Sequence, residues 1–299
     1  MIKFHKMHGL GNDFVLIDNR QQNFLPEPKR IRQLANRRTG IGCDQVLLLN
    51  SPELASSHLD FRIFNADGSE AEQCGNGMRC IAMYLARTGE INQQCLQISG
   101  CAGPVEICWQ QNGTAARAKV NMGQPIFAAA QIPMDTSQLR ALDNSLWQLE
   151  LADLTLNFYA VSMGNPHLVV LAEEHPGITL ETMANKLAAH PAFPGGVNIG
   201  LIKSFNRTQI TLQVHERGSG QTRACGSGAC AAMAALRQAG KVDSSVTIYQ
   251  AGGELNTEWP AIDSPDQQLK LAPTGRNSNN DLWMSGPAAY VFQGETDDS

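Results

Sequence analysis

Two short segments of this 299-residue chain place a cysteine and two glycines where a helix is expected to begin: CGNGMRC (74–80) and ACGSGACAA (224–232). In each, a short polar residue sits among the glycines and an apolar-periodic stretch follows at once. Glycine lets a backbone approach a ligand closely. The first-turn N–H groups of a helix, at the positive end of its dipole, form a ready site for an anion such as a carboxylate. The same field favours thiolate, drawing a cysteine pKa down from its usual value of about 8.5. Cys74 and Cys225 are therefore expected to accept and return protons. Inverting a carbon needs two such groups, one removing a proton from one face and one supplying a proton to the other. A carboxylate held at both helix starts would also take up the charge that develops as the α-proton leaves. The chemistry expected is epimerisation of an amino acid, with no cofactor and no metal.

The other cysteines carry less. No two have the CxxC spacing of a zinc site or a thioredoxin-like redox pair, so Cys80 and Cys230 read as core residues. Cys43, Cys95, Cys101 and Cys108 read as buried or inert thiols. One Cys-Gly turn alone is ordinary chain reversal; the argument rests on there being two.

The elements that must position these turns recur. Strand-like runs rich in Val, Ile, Leu and aromatics fall at 14–18, 45–49, 60–64, 105–109, 118–122, 158–163, 167–171, 209–214, 246–250 and 289–292. Helical periodicity falls at 28–38, 77–87, 180–189 and 228–239. Asn12 and Asn165, each following a glycine, are 153 positions apart, as are Gln45 and Asn198, while Cys74 and Cys225 are 151 apart. Asn65 precedes Cys74 by nine positions and Glu216 precedes Cys225 by nine. This order predicts a duplication into two pseudo-symmetric domains, an N-terminal one of 1–123 plus 283–299 holding Cys74 and a C-terminal one of 124–282 holding Cys225. The last strand, 289–292, has no counterpart in the second half and is expected to rejoin the first. Residues 260–280 read as a turn-rich excursion around one short run at 268–271.

Composition agrees with a folded enzyme acting on a small molecule. Hydrophobic residues make up 42% and charged residues 17%, net charge is −5, and no Lys/Arg run exceeds two, which argues against nucleic acid or an anionic membrane as partner. The start, MIKFHKMHGLGNDF, lacks the apolar region of a secretory signal, and no segment approaches the roughly 18 apolar residues of a membrane span. A cytoplasmic location is expected.

Several motifs together resemble the diaminopimelate epimerase family: MHGLGNDF (7–14), GCDQ (42–45), FNADGSEAEQCGNGMRC (64–80), SMGNPH (162–167), GVN (196–198) and ERGSGQTRACGSGACAA (216–232). Each alone is modest; as a set spread over the whole chain they are specific. The resemblance implies an α+β fold in which each half wraps a mixed, barrel-like sheet around a central helix. It implies interconversion of LL- and meso-diaminopimelate in lysine and peptidoglycan-precursor synthesis, and a homodimer. Cys74 and Cys225 would be the acid/base pair, with His167 and Glu216 hydrogen-bonding the reacting groups. Gly75, Asn76, Gly226 and Ser227 would hold the reacting carboxylate. Asn12, Gln45, Asn65, Asn165, Asn198 and Arg217 would complete the pocket, Arg217 pairing the distal carboxylate as a planar fork. The 260–280 excursion is longer than the family usually carries, and 99–103 matches no family pattern.

Three other readings compete. A proline racemase or hydroxyproline epimerase would take a compact ring, against which Arg217 and the amides argue. A non-catalytic amino-acid binder would not need both cysteines. A redox-sensing dithiol would bond Cys74 to Cys225 under oxidation, with reversible loss of activity.

Overall fold

In a computed structural model the described residues are 1–71, 74–92, 94–112, 115–143, 145–187, 190–260 and 280–297. The excursion expected at 260–280, with its run at 268–271, therefore falls almost wholly outside them. Contacts between Cα atoms divide the chain into two compact units, 1–121 with 285–299 and 122–284. Both mix sheet and helix, and the fold is α+β.

The first unit runs β1 (Ile2–Gly9), β2 (Asn12–Asp18), α1 (Pro28–Ala35), β3 (Gln45–Asn50), β4 (Asp60–Asn65), β5 (Glu70–Ala71), α2 (Gly75–Arg87), β6 (Cys95–Gly100), β7 (Gly103–Asn112) and β8 (Ala115–Asn121). The second runs β9 (Arg140–Ala141), β10 (Leu146–Leu151), β11 (Leu154–Ser162), β12 (Pro166–Leu171), α3 (Leu180–Leu187), β13 (Asn198–Phe205), β14 (Gln209–Glu216), β15 (Gly220–Thr222), α4 (Gly226–Gln238), β16 (Ser245–Gln250) and β17 (Gly253–Glu258). Then β18 (Trp283–Gly286) contains the boundary, and β19 (Ala289–Thr296) belongs to the first unit.

Among the described strand pairings whose direction is known, each unit is antiparallel except at two crossovers. In the first unit β2 pairs parallel with β3 and β4 with β6; in the second β12 pairs parallel with β13 and β14 with β16. A parallel neighbour requires a long return connection, and α1, α2, α3 and α4 lie in those four connections. Strand β19 pairs antiparallel with β1 as β10 pairs with β11, so the chain's last strand fills a place that the second unit fills from its own beginning.

Helices α2 and α4 are buried nearly all round, as a helix enclosed by sheet must be. In α4, Gly226 and Gly228–Leu236 are all buried, and five alanines in that run let the strands approach closely. Helix α2 touches β1, β2, β7, β8 and β19, and α4 touches β11, β12, β13, β14, β16 and β17. Helices α1 and α3 cover the opposite sheet faces, over Val15, Ile17, Val46 and Leu48 in one unit and Leu168, Val170, Ile199 and Leu201 in the other. With both faces covered, β2, β3 and β12 read as continuous apolar runs rather than alternating ones.

Sequence patterns placed all four helices, with different ends. Helix α1 stops at Ala35 rather than 38 because the Asn36 side chain accepts from the backbone N–H groups of Arg38 and Thr39 at 2.8 and 3.0 Å, an Asx turn. Helices α2 and α4 begin two residues earlier than the apolar period suggested, at the residue after each cysteine. Strands β1, β6, β10, β13 and β17 and the short β5, β9, β15 and β18 were not read from sequence; β13 carries Gly200 in its interior, which weakens a strand signal.

Cys95 and Cys108 correct an expectation. They are directly opposite in the β6–β7 register, with Cα atoms 4.0 Å apart, and form a disulfide rather than two inert thiols. Spacing along one chain does not reveal cross-strand register, so the pair was invisible. Cys43, Cys80 and Cys230 are buried thiols as expected, and burial pushes the Cys43 and Cys80 thiols up to about 12. Cys101 is exposed, is not disulfide-bonded, and donates from Sγ to the Ala71 carbonyl at 3.9 Å.

Candidate active site

In the first unit the β1–β2 hairpin is closed by Leu10 and Gly11, at φ 56° and 88°. Two left-handed residues match a tight two-residue hairpin, and Leu10 is the one non-glycine at positive φ among the described residues. The turn delivers Asn12 at the head of β2. Its Oδ1 accepts from Asn76 Nδ2 at 3.1 Å and lies 3.8 Å from Cys74 Sγ, while its Nδ2 donates to Asp44 Oδ2 at 3.1 Å. Cys74 is the N-cap of α2, with φ −147° and its carbonyl accepting from Met78 N at 3.0 Å. Gly75 and Asn76 are the first two residues of that helix. Gln45 opens β3 and Asn65 closes β4; they are register partners, and Gln45 Nε2 donates to Asn65 Oδ1 at 2.9 Å. Thus Asn12, Cys74 and Asn76 are joined directly, and Gln45 and Asn65 form a second pair.

The second unit repeats the positions. Cys225 is the N-cap of α4, Asn198 opens β13 and Glu216 closes β14. Cys225 Sγ accepts from Gly228 N at 3.3 Å and lies 3.5 Å from Ser227 Oγ, and Gly226 starts the helix. A side chain at 228 would bring a Cβ to 3.3 Å from that sulfur and 3.2 Å from Val214 Cγ2, which is why glycine fits there. Asn165 Oδ1 lies 3.0 Å from His167 Nε2, and His167 is the register partner of Asn198 across β12–β13. Asn198 Nδ2 donates to the Pro166 carbonyl at 2.9 Å, and its Oδ1 accepts from Arg217 N at 3.0 Å. Arg217 is exposed and donates from Nη1 to the Gly195 carbonyl at 2.8 Å, leaving most of its donor fork for a ligand. Glu216 Oε1 accepts from Thr222 Oγ1 at 2.5 Å.

Protonation differs from the expectation for one cysteine. Burial pushes the Cys225 thiol well above its ordinary value and the charge of Glu216 adds to this, outweighing the hydrogen bonds from Ser227 and Gly228. The helix start therefore does not make Cys225 a thiolate. Burial, with the positive charge of Arg217, lowers His167 to about 3, so its imidazole is neutral near pH 7.

Some residues now seen at these sites were missed. Asp44, inside the GCDQ run (42–45), holds Asn12, and with Asp13 it is clamped by Arg37. Gln250, the last residue of β16, holds the Cys225 backbone, accepting from its N–H at 2.7 Å and donating to its carbonyl at 3.2 Å. Asp44 carried a signal, its place beside Gln45; Gln250 carried none, because the parallel return that brings β16 back to β14 is not written locally.

A family model described as diaminopimelate epimerase matches residues 4–128 and 159–272. A protein named diaminopimelate epimerase from Burkholderia ambifaria is 39% identical over 300 residues, covering 99% of this chain and 98% of its own. Among solved structures, a hydroxyproline epimerase from Agrobacterium vitis with bound trans-4-hydroxy-L-proline superposes with a TM-score of 0.69 at 13% identity, covering 98% of this chain and 91% of that one. A predicted epimerase from Pseudomonas aeruginosa superposes with a TM-score of 0.63 at 16% identity over the full length of both. Those two likenesses concern the fold alone. The family model and the relative carry the assignment, and this chain belongs to the diaminopimelate epimerase family of amino-acid isomerases.

Proposed function

We propose that the chain interconverts LL- and meso-2,6-diaminopimelate without a cofactor, Cys74 and Cys225 exchanging protons with opposite faces of one α-carbon. The observation that carries this reading is that both cysteines cap the N-termini of the two enclosed helices. Each is thereby set beside the anion-binding start of a helix. The first-turn amides at Gly75 and Asn76 in one unit, and Gly226 and Ser227 in the other, would hold the reacting carboxylate. One sulfur, as thiolate, removes the α-proton; the other, as thiol, supplies one to the opposite face, and the developing enolate charge rests on the held carboxylate. The raised Cys225 thiol suits the acid role in one direction of the reaction. His167 and Glu216 would support these protonation states by hydrogen bonds to the reacting groups. The distal end would be read by Arg217, as a fork on the carboxylate, and by the amides of Gln45, Asn65, Asn165 and Asn198, while Asn12, whose Oδ1 faces Cys74, would complete the pocket at the reacting end.

The reaction needs Cys74 and Cys225 reduced, which favours the cytoplasm, although the Cys95–Cys108 bond on its own would favour an oxidising compartment. No helix among the described residues is long and apolar enough to cross a membrane. A homodimer is favoured by β19, which pairs with β1 and exposes Val291 and Phe292. Exposed apolar residues on such a strand suit a second copy. Val291→Lys should sediment as a monomer at concentrations where the parent is a dimer.

Incubation with LL-diaminopimelate in deuterated water, with no added cofactor, should give meso product carrying deuterium at one α-carbon. Meso product without solvent deuterium, or none at all, would overturn the two-base reading.

A further inference from the structure

Around Asn12 the donors and acceptors fit in one way. Its Oδ1 faces two donors, Asn76 Nδ2 and the Cys74 thiol, and its Nδ2 faces the acceptor Asp44 Oδ2. Turning the amide over would set its NH2 against the Asn76 NH2 and its carbonyl against a carboxylate. Asp44 therefore decides which atom of Asn12 the sulfur meets. A carbonyl oxygen accepts from a thiol and favours it; an amide N–H would donate to a thiolate and favour that instead.

Asp44 is itself held. Its Oδ2 also accepts from Asp13 N at 3.1 Å, and its own N–H donates to Asp13 Oδ1 at 3.0 Å. Arg37 Nη2 spans the two carboxylates, 2.6 Å from Asp13 Oδ1 and 2.7 Å from Asp44 Oδ1, and Lys6 Nζ donates to Asp13 Oδ2 at 2.5 Å and to the Gly42 carbonyl. Burial alone would raise the Asp13 carboxyl, but the hydrogen bonds from Arg37 and Lys6 outweigh it and hold Asp13 well below the usual carboxylate range. Two acids can stand together here because Arg37 bridges them and Lys6 pairs with Asp13.

We propose that Asp44 is a positioning residue for proton transfer, acting through Asn12, whose amide it orients so that the carbonyl oxygen faces Cys74. The proposal rests on the reading of Cys74 as one of the proton-transferring pair. Asp44 needs no contact with substrate.

The test is a double-mutant cycle over Asp44→Asn and Asn12→Ala, read by turnover and by the rate at which iodoacetamide alkylates Cys74, with Cys225 in the same molecule as the internal control. Asp44→Asn should lower kcat roughly tenfold with a smaller change in KM. It should also speed alkylation of Cys74 relative to Cys225. In the Asn12→Ala background it should do neither, because the route is gone. An unchanged Cys74/Cys225 alkylation ratio in Asp44→Asn, or an effect that persists in full without the Asn12 amide, overturns the proposal. If Asp44→Asn does not fold, Arg37→Gln, at an exposed side chain, should give the same pattern at smaller size, and an unchanged ratio there overturns it equally. Because alkylation needs no substrate, a parent protein that fails to turn over diaminopimelate would refute the epimerase reading and leave the Asp44 test standing.

Discussion

Cys74 and Cys225 each cap a thirteen-residue helix enclosed by sheet, yet their surroundings are not copies. Cys225 is 3% exposed, its sulfur accepts from an amide of its own helix, and Gln250 holds its backbone on both sides. Cys74 is half-buried, and no side-chain cap bond ties its sulfur to α2; its sulfur faces Asn12 instead. Register extends the contrast. Phe14 pairs with Gln45 as His167 pairs with Asn198, and Asn65 closes β4 as Glu216 closes β14. Where the second unit carries an imidazole and a carboxylate, the first carries a phenyl ring and an amide. The two units share the strand positions and the capping cysteines, and at these two positions only the second carries titratable side chains.

Removing either sulfur tests the part of the comparison that is symmetric. Cys74→Ala and Cys225→Ala should each lower kcat by at least the roughly 10²–10⁴-fold expected of a lost acid or base, with unchanged circular dichroism. Near-parent turnover by either variant would leave the enzyme with one working sulfur. Phe14→His imposes on the first unit the group that the second carries. Phe14 is wholly buried, so the imidazole should cost about 2–4 kcal/mol in chemical denaturation. A cost below about 1 kcal/mol would mean that the two halves are more alike than their packing.

Exposure and protonation predict different reactivity. In the unliganded protein at neutral pH, iodoacetamide should alkylate Cys74 at least about tenfold faster than Cys225, because the thiolate is the nucleophile and burial suppresses it. Equal rates would erase the contrast. The acid limb of stability should carry His167. Its pKa is lowered from 6.5 in the unfolded chain to about 3 in the folded one, so its contribution is fully present above 6.5 and is lost as pH falls toward 3. Between those values one proton is taken up on unfolding, a slope of about 1.4 kcal/mol per pH unit. His167→Gln should flatten that slope. Smallest is Gln250→Leu, which removes two hydrogen bonds from the Cys225 backbone and should cost about 1–2 kcal/mol. It should slow turnover without changing Cys74 alkylation.

How much of this was legible follows from how local each cause is. The cysteine turns, the four helices and the offset pairs lie in short runs of sequence, and Gln45/Asn198 and Asn65/Glu216 do occupy matching ends of matching strands. The Cys95–Cys108 bond, the Gln250 clamp and the burial that raises Cys225 depend on which strands become neighbours. No spacing rule reports that. Asp44 lies between: its residue type was in view, but its partners come from β2 and from the Arg37 loop.

The pairing of β19 with β1 sets an order of assembly. Ile2 faces Thr296 in that ladder, so the sheet of the first unit cannot be completed until almost the whole chain has been synthesised. The strands β9–β17 of the second unit are all in place by Glu258, since β10 lies just ahead of β11. During synthesis the second sheet can close while β1 still waits with an open edge. That long wait, more than the entropy of a longer loop, which grows only slowly with length, makes the first unit the slow and aggregation-exposed half.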